Sequence, residues 1–169
     1  DATIIGNFIT GNTAGGQGGG GVYCWSSSSP RIVNNVISGN QTDGSSSGGG
    51  VHSGFGCSPE IVNNVICGNQ AGYGGGVYGS ECQMLIINNV VCENAGSWNG
   101  GGVAFNSAQG EISRNFIGAN RAGSIGGGGV FCQASSPDIL ENVITANAAG
   151  NMGGGGVLCT LSSLPVIAN

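Results

Sequence analysis

The chain has 169 residues, 37 of them glycine, and sets three arginines and no lysine against eight acids, for a net charge of −5. So small a basic complement cannot neutralise a phosphate backbone, which excludes nucleic-acid binding, and it disfavours an anionic membrane surface for the same reason; no direct membrane insertion is expected. No apolar run reaches the roughly 20 residues of a membrane helix, glycine does not fall at every third position as in collagen, and the apolar residues are too regularly spaced for a disordered segment.

One short unit runs end to end. It begins with an isoleucine column: Ile4, Ile32, Ile61, Ile86, Ile112 and Ile139, continued by Ile167. Three residues after each of the first six comes an asparagine, giving Asn7, Asn35, Asn64, Asn89, Asn115 and Asn142. Two residues further on lies a second aliphatic column, Ile9, Ile37, Ile66, Val91, Ile117 and Ile144. A second asparagine column follows at Asn12, Asn40, Asn69, Asn94, Asn120 and Asn147. The segments between turns are short and β-branched, with no 3.6-residue apolar period, so they read as strands. A unit this small can bury an apolar face only against its neighbours, and a fixed period of about 27 residues without helices predicts an all-β parallel β-helix of about six coils. Residues 1–169 then form a single solenoid domain. Successive coils stack about 4.8 Å apart, so equivalent residues lie one above another. Aliphatic columns become core ladders. Asparagine columns belong at bends, where Asn tolerates left-handed backbone and its amide satisfies turn groups and the Asn of the next coil.

After the second asparagine comes the part of the unit that varies most in length, Thr13 to Gln17 and Gln41 to Ser47 in the first two coils, where partner-facing loops are expected. Each variable bend closes on a Gly run and a valine: Val22, Val51, Val77, Val103, Val130 and Val157. Glycine at this point implies positive φ or close backbone approach.

One residue past each valine the column runs Tyr23, His52, Tyr78, Ala104, Phe131, Leu158. With valine pointing in, this column points out, and Tyr23, His52, Tyr78 and Phe131 form a candidate strip for stacking on sugar rings or meeting a partner protein. The alternative is simple aromatic packing between coils. Trp25 and Trp98 would add to the strip, although neither has an aromatic match in the adjacent coil. A lone histidine with no nucleophile or carboxylate in a defined frame makes a poor catalyst.

The charged residues gather once, at Glu111, Arg114, Asp138 and Glu141. Glu111 and Asp138 share a column, so their like charges would raise a carboxyl pKa, attract Arg114 or hold Ca²⁺; the competing reading is a solvated face balanced by one arginine. Arg31 with Glu60 and Arg114 with Glu141 read as surface ion pairs of small energetic consequence. Ranked threonines for ice binding and calcium-binding Gly-Asp nonapeptides are absent, Asn40-Gln41-Thr42 is a single sequon match, and no cofactor motif is found.

Six of the seven cysteines fall in stacked pairs: Cys57 with Cys82, Cys67 with Cys92, and Cys132 with Cys159. Cα atoms near 4.8 Å apart lie inside the disulfide window of roughly 4.4–6.8 Å. Cross-coil bridges are therefore expected, with a ladder of small buried thiols as the alternative. Cys24, whose column continues as Ser53, is left over. Bridges imply an oxidising, extracytoplasmic compartment.

The stretch Ile66-Cys67-Gly68-Asn69 followed by Gln70-Ala71-Gly72-Tyr73-Gly74-Gly75-Gly76-Val77-Tyr78 resembles the repeat of polymorphic outer-membrane proteins, which carry Phe-x-x-Asn followed by Gly-Gly-Ala-aliphatic. The likeness extends over all six units. It implies a right-handed, pectate-lyase-like β-helix on or outside a bacterial surface, often an adhesin or passenger region, and it transfers no catalytic residue.

The chain opens on Asp1, as a processed or excised product would, and both ends have strand-like sequence without a polar cap. A segment of a longer solenoid or an end-to-end stacking unit is expected. Three functions remain open: a non-enzymatic extracellular or cell-surface scaffold or adhesin facing a protein or polysaccharide; a carbohydrate-active enzyme fragment using Glu111, Asp138 and Glu141; and a filament subunit whose partners are other copies of itself.

Overall fold

A computed structural model describes residues 2–16 and 18–169; Gln17, at the end of the first variable bend, and Asp1 lie outside the described residues. The described chain is all-β and helix-free, a parallel solenoid of about six coils. The strands fall in four parallel sheets of seven, six, five and six strands, the last coil meeting the third sheet only through a single bridge between Arg121 and Ala148. The first face runs from Thr3–Ile5 through Arg31–Val33, Glu60–Val62, Gln83–Ile87, Gln109–Ser113 and Asp138–Leu140 to Val166–Ala168. The second runs from Phe8–Thr10 to Val143–Thr145, the third from Thr13–Ala14 to Arg121–Ala122, and the fourth from Val22–Cys24 to Val157–Thr160. Neighbouring strands pair in parallel with the expected register: Ile4 on Ile32 and Ile32 on Ile61, Ile66 on Val91, and Val77 on Val103.

The aliphatic columns meet in the solenoid axis. Ile32, Ile61, Ile86 and Ile112 of the first face, Ile37, Ile66, Val91 and Ile117 of the second, and Val51, Val77, Val103 and Val130 of the fourth are fully buried and form one continuous core. At the ends of the described stack, Ile4, Ile9, Ile144 and Val157 are only partly covered, because one side of each has no further coil on it.

Both asparagine columns are ladders. Asn64 Oδ1 accepts from the backbone N–H of Asn35 at 2.9 Å and from its Nδ2 at 3.0 Å. Asn64 Nδ2 in turn donates to Asn89 Oδ1 at 3.1 Å and to the Ile32 carbonyl at 2.8 Å. The second ladder repeats the pattern, with Asn69 bonded to Asn40, Asn94 and the Ile37 carbonyl. Every interior amide thus has its donors and acceptors matched, which is the condition for burying it.

The left-handed residue is not the ladder asparagine, as the sequence suggested, but the one before it. Positive φ occurs at Asn34, Asn63, Asn88, Arg114 and Glu141 ahead of the first ladder, and at Gly11, Gly39, Gly68, Glu93, Ala119 and Ala146 ahead of the second. That residue makes the corner, and the asparagine following it turns its amide inward. Alanine in this conformation carries a steric cost of about 1–2 kcal/mol that glycine avoids. Ala119, at φ 56°, occupies the column where the first three coils use glycine. Ala119→Gly is expected to stabilise the fold by about 0.5–1 kcal/mol after allowing for the greater chain entropy of glycine. A urea midpoint that stays put or falls would refute the corner assignment.

The Gly runs serve two steric purposes. The column containing Gly75 lies back to back with the strand that begins just after the second asparagine: a Cβ on Gly75 would reach within 2.6 Å of the Ala95 backbone nitrogen. The next glycine faces the ladder, since a Cβ on Gly76 would sit 2.6 Å from the Gly102 carbonyl and 3.0 Å from Asn94 Nδ2. The run therefore lets third and fourth faces touch backbone to backbone.

Candidate functional site

The charged cluster lies on and beside the outer side of the first face. Glu111 and Asp138 are register partners on the outside of the first face. Arg114 Nε bonds Glu141 Oε2 at 2.8 Å, and that bond, with Glu111 adding a smaller attraction, holds the guanidinium firmly charged. Among the described residues no group of three or more His, Cys, Asp or Glu side chains is placed to hold a metal ion, so Glu111 and Asp138 have no third ligand of that kind. The Arg31–Glu60 contact, at 3.0 Å, is likewise an exposed surface pair.

Of the three expected bridges, one is present. Cys67 and Cys92 form a disulfide across the second face with Cα atoms 4.6 Å apart. Cys57, Cys82, Cys132 and Cys159 are free, a correction to the other two pairings. Cys57, Cys82 and Cys132 point into the core, where desolvation pushes the Cys132 thiol up to about 12 and the Cys82 thiol up to about 11, while Cys159 is exposed. Cys24 lies near Cys57 and Cys82, and burial pushes its thiol up to about 12 as well.

Two concave regions lie on the fourth face, and another of about 450 Å³ lies at the bend after it, beside Cys57, Glu81, Cys82 and Gln109. The expected exposed strip is only partly exposed: Tyr23 is open to solvent, Tyr78 is half-buried, and His52 and Phe131 are 5% and 4% exposed. The difference arises because the variable loops fold back over this face. Ser45, Ser46 and Ser47 of one loop stand beside His52 and Tyr78, while Trp98 and Ile125 of later loops stand beside Phe131. Two clefts result. The first, about 460 Å³, is lined by Trp25, His52, Phe55, Tyr78, Ser80 and the serines Ser45–Ser47 together with Gly16. The second, about 370 Å³, is lined by Tyr73, Trp98, Phe131 and Gln133, among others.

The first cleft is built from a chain of rings. Trp25 packs on Phe55 with centroids 4.2 Å apart and on Tyr23 at 5.5 Å; His52 lies between Tyr23 at 5.0 Å and Tyr78 at 5.2 Å. Gly54 forms the floor under Trp25, since a Cβ there would come within 3.0 Å of the indole. Tyr73 links this group towards the second cleft, 6.3 Å from Tyr78. The loop wall is fixed by Asp43, whose carboxylate accepts from the hydroxyls of Ser46 and Ser45 and from the Gly16 N–H, bonds that hold its pKa at about 2. Trp98 Nε1 ties the same loop down by donating to the Gly44 carbonyl at 3.0 Å. The tryptophans are thus anchored, and both keep exposed ring surface.

Phe55 and Tyr73 escaped the column reading. Phe55 is four residues past its valine, whereas Trp25 is three past its own, so alignment separates two rings that a turn at Gly54 to Gly56 brings together. Tyr73 belongs to the variable bend, where no column exists. The chain matches no family model, no curated protein and no solved structure, which leaves the chemistry of these two clefts as the guide to its role.

Proposed function

We propose that the protein is a non-enzymatic, extracellular or cell-surface scaffold that binds neutral polysaccharide along its fourth face. The observation that carries this reading is the first cleft, where the anchored rings of Trp25 and Phe55 adjoin a wall of hydroxyls from Ser45, Ser46, Ser47 and Ser80. Aromatic faces stack on the C–H surfaces of sugar rings while hydroxyls exchange hydrogen bonds with theirs, and fixed rings lose little entropy on binding. Net charge of −5 disfavours acidic polymers. The Cys67–Cys92 bridge supports an oxidising compartment. Glu111, Asp138 and Glu141 lie on or beside the first face, and neither cleft includes them, so they give the hydrolytic alternative no geometry.

Titration calorimetry against neutral soluble glucans, mannans and xylans tests the reading. Trp25→Ala is expected to weaken binding by roughly tenfold or more, in line with about 1.4 kcal/mol for a lost stacking platform. Glu111→Gln leaves affinity unchanged. Absence of heat with every neutral polymer, or equal affinity in Trp25→Ala, would remove this function.

A further inference from the structure

The outward side of the fourth face carries a second column, two residues past the aromatic one, and its later part is a row of neutral polar side chains. Ser80, Asn106, Gln133 and Thr160 are register partners on successive coils, and all are half-buried. Gly54, paired with Ser80, and Trp25, one residue past the Cys24–Ser53 pair, precede them in the same column. The row joins the two clefts. Ser80 lines the first, Gln133 and Thr160 line the second, and Asn106 stands on the coil between, in the lining of neither. Asn106 is also the only side chain of the strand Val103–Asn106 that reaches solvent, and its Nδ2 donates to the Tyr78 hydroxyl of the first cleft at 3.3 Å.

The loop wall likewise runs past both clefts. It passes from Ser47 to its bridge partner Tyr73, which lines the second cleft, and from Gly44 through the indole hydrogen bond to Trp98, which lines it too. No strand of the fourth face contains Asp, Glu, Lys or Arg. Glu81, the residue after Ser80, turns the corner into the separate concavity beside Cys57 and Cys82. What the row offers a ligand is therefore one uncharged hydroxyl or amide per coil, at intervals of about 4.8 Å.

We propose that the two clefts are the ends of one groove, in which a single neutral, β-linked hexopyranose chain lies extended along the solenoid axis, about one sugar to each coil. The inference rests on the polysaccharide reading and adds the direction, linkage class and length of the ligand. An equally spaced row selects a polymer of matching repeat. Hexopyranoses in an extended β-linked chain advance by close to one coil per sugar, so successive hydroxyls meet successive side chains. An extended peptide advances about 3.4 Å per residue and repeats each side every two residues, about 6.8 Å, out of step with the row. From Trp25 to Thr160 the column makes five coil steps, roughly 24 Å. A hexasaccharide fills that length, whereas a trisaccharide fits within one cleft.

Calorimetry of the whole chain with cello- and manno-oligosaccharides of increasing length is the test. The expected result is an affinity that rises roughly tenfold or more from trisaccharide to hexasaccharide and then levels off, with one hexasaccharide bound per chain. Asn106→Ala is expected to weaken the hexasaccharide roughly fivefold, the size of one neutral hydrogen bond, and to leave the trisaccharide unchanged. Trisaccharide affinity thus reports that the variant is folded, and the length series itself needs no variant. Two hexasaccharides per chain, or an affinity flat from trisaccharide upwards, would make the clefts independent sites and overturn the proposal while the polysaccharide reading stands. Asn106→Ala with the parent's hexasaccharide affinity would overturn it in the same way. No heat with any oligosaccharide or neutral polymer would remove the reading and the proposal together.

Discussion

Gly75→Ala is expected to cost about 3 kcal/mol or more, the upper range of overpacking, although it adds one methyl group to a chain of small residues. The new Cβ would lie within 2.6 Å of the Ala95 nitrogen and comparably close to its carbonyl, all backbone atoms of a paired strand. Backbone cannot rotate aside as a side chain can. Relief would require the third and fourth faces to separate, breaking parallel hydrogen bonds in both, such as Ala95 N to Asn69 O and Gly75 N to Gly100 O. Two further substitutions make the claim specific. Gly15→Ala, where an added Cβ meets nothing within 4 Å, should change stability by less than about 0.5 kcal/mol. Ala95→Gly should not rescue Gly75→Ala, because the colliding atoms remain. A urea midpoint for Gly75→Ala within error of the parent would mean that the two faces do not touch as described.

Gly75 is thus selected by distance, whereas Gly74 beside it and the corner glycines Gly39 and Gly68 sit at positive φ; which of the molecule's contacts recur at the period explains which parts could be read from its sequence. A residue that must stack on its own copy one coil away recurs at the period, so Ile61, Asn64, Val77 and the Cys67–Cys92 pair all announce themselves by position. A residue whose partner lies across the coil, or on a loop of variable length, leaves no periodic trace. Trp25 on Phe55 and Trp98 on the Gly44 carbonyl are contacts of that kind, which is why the clefts became visible only in three dimensions. His52 and Phe131 show the same limit from the other side: alternation placed them outward, and loops outside the period then covered them. The free thiols of Cys57 and Cys82 add a further case. The period places Cys57 with Cys82 and Cys132 with Cys159 as it places Cys67 with Cys92, but only the last pair, on the outward side of the second face, is bridged.

The asparagine ladders yield the sharpest contrast between shape and chemistry. Asn64→Ala removes the acceptor of the Asn35 N–H and the donor to the Ile32 carbonyl, two buried groups at 2.9 Å and 2.8 Å from the lost amide. At about 1–3 kcal/mol for each stranded group, a loss of about 4 kcal/mol is expected. Asn64→Asp keeps the shape and the Oδ1 acceptor, yet turns its second oxygen towards the Ile32 and Val62 carbonyls and Asn89 Oδ1, which are all acceptors. The ionised form is disfavoured there, so the folded pKa of this aspartate lies above its unfolded value of about 3.9. A carboxyl with a raised folded pKa binds more protons in the native state than in the unfolded one, so its variant is at its most stable at acid pH. Stability then falls as pH rises from about 4 towards the folded pKa, opposite in sign to a paired surface carboxylate. Urea unfolding of Asn64→Asp at pH 4 and pH 7, beside the parent at both, separates this slope from the background. Asn7 shares the column but is exposed at the first coil, and Asn7→Ala should cost less than about 1 kcal/mol. Equal losses at Asn7 and Asn64, or an Asn64→Asp chain whose stability follows the parent across pH, would show that the ladder contributes stacking shape alone.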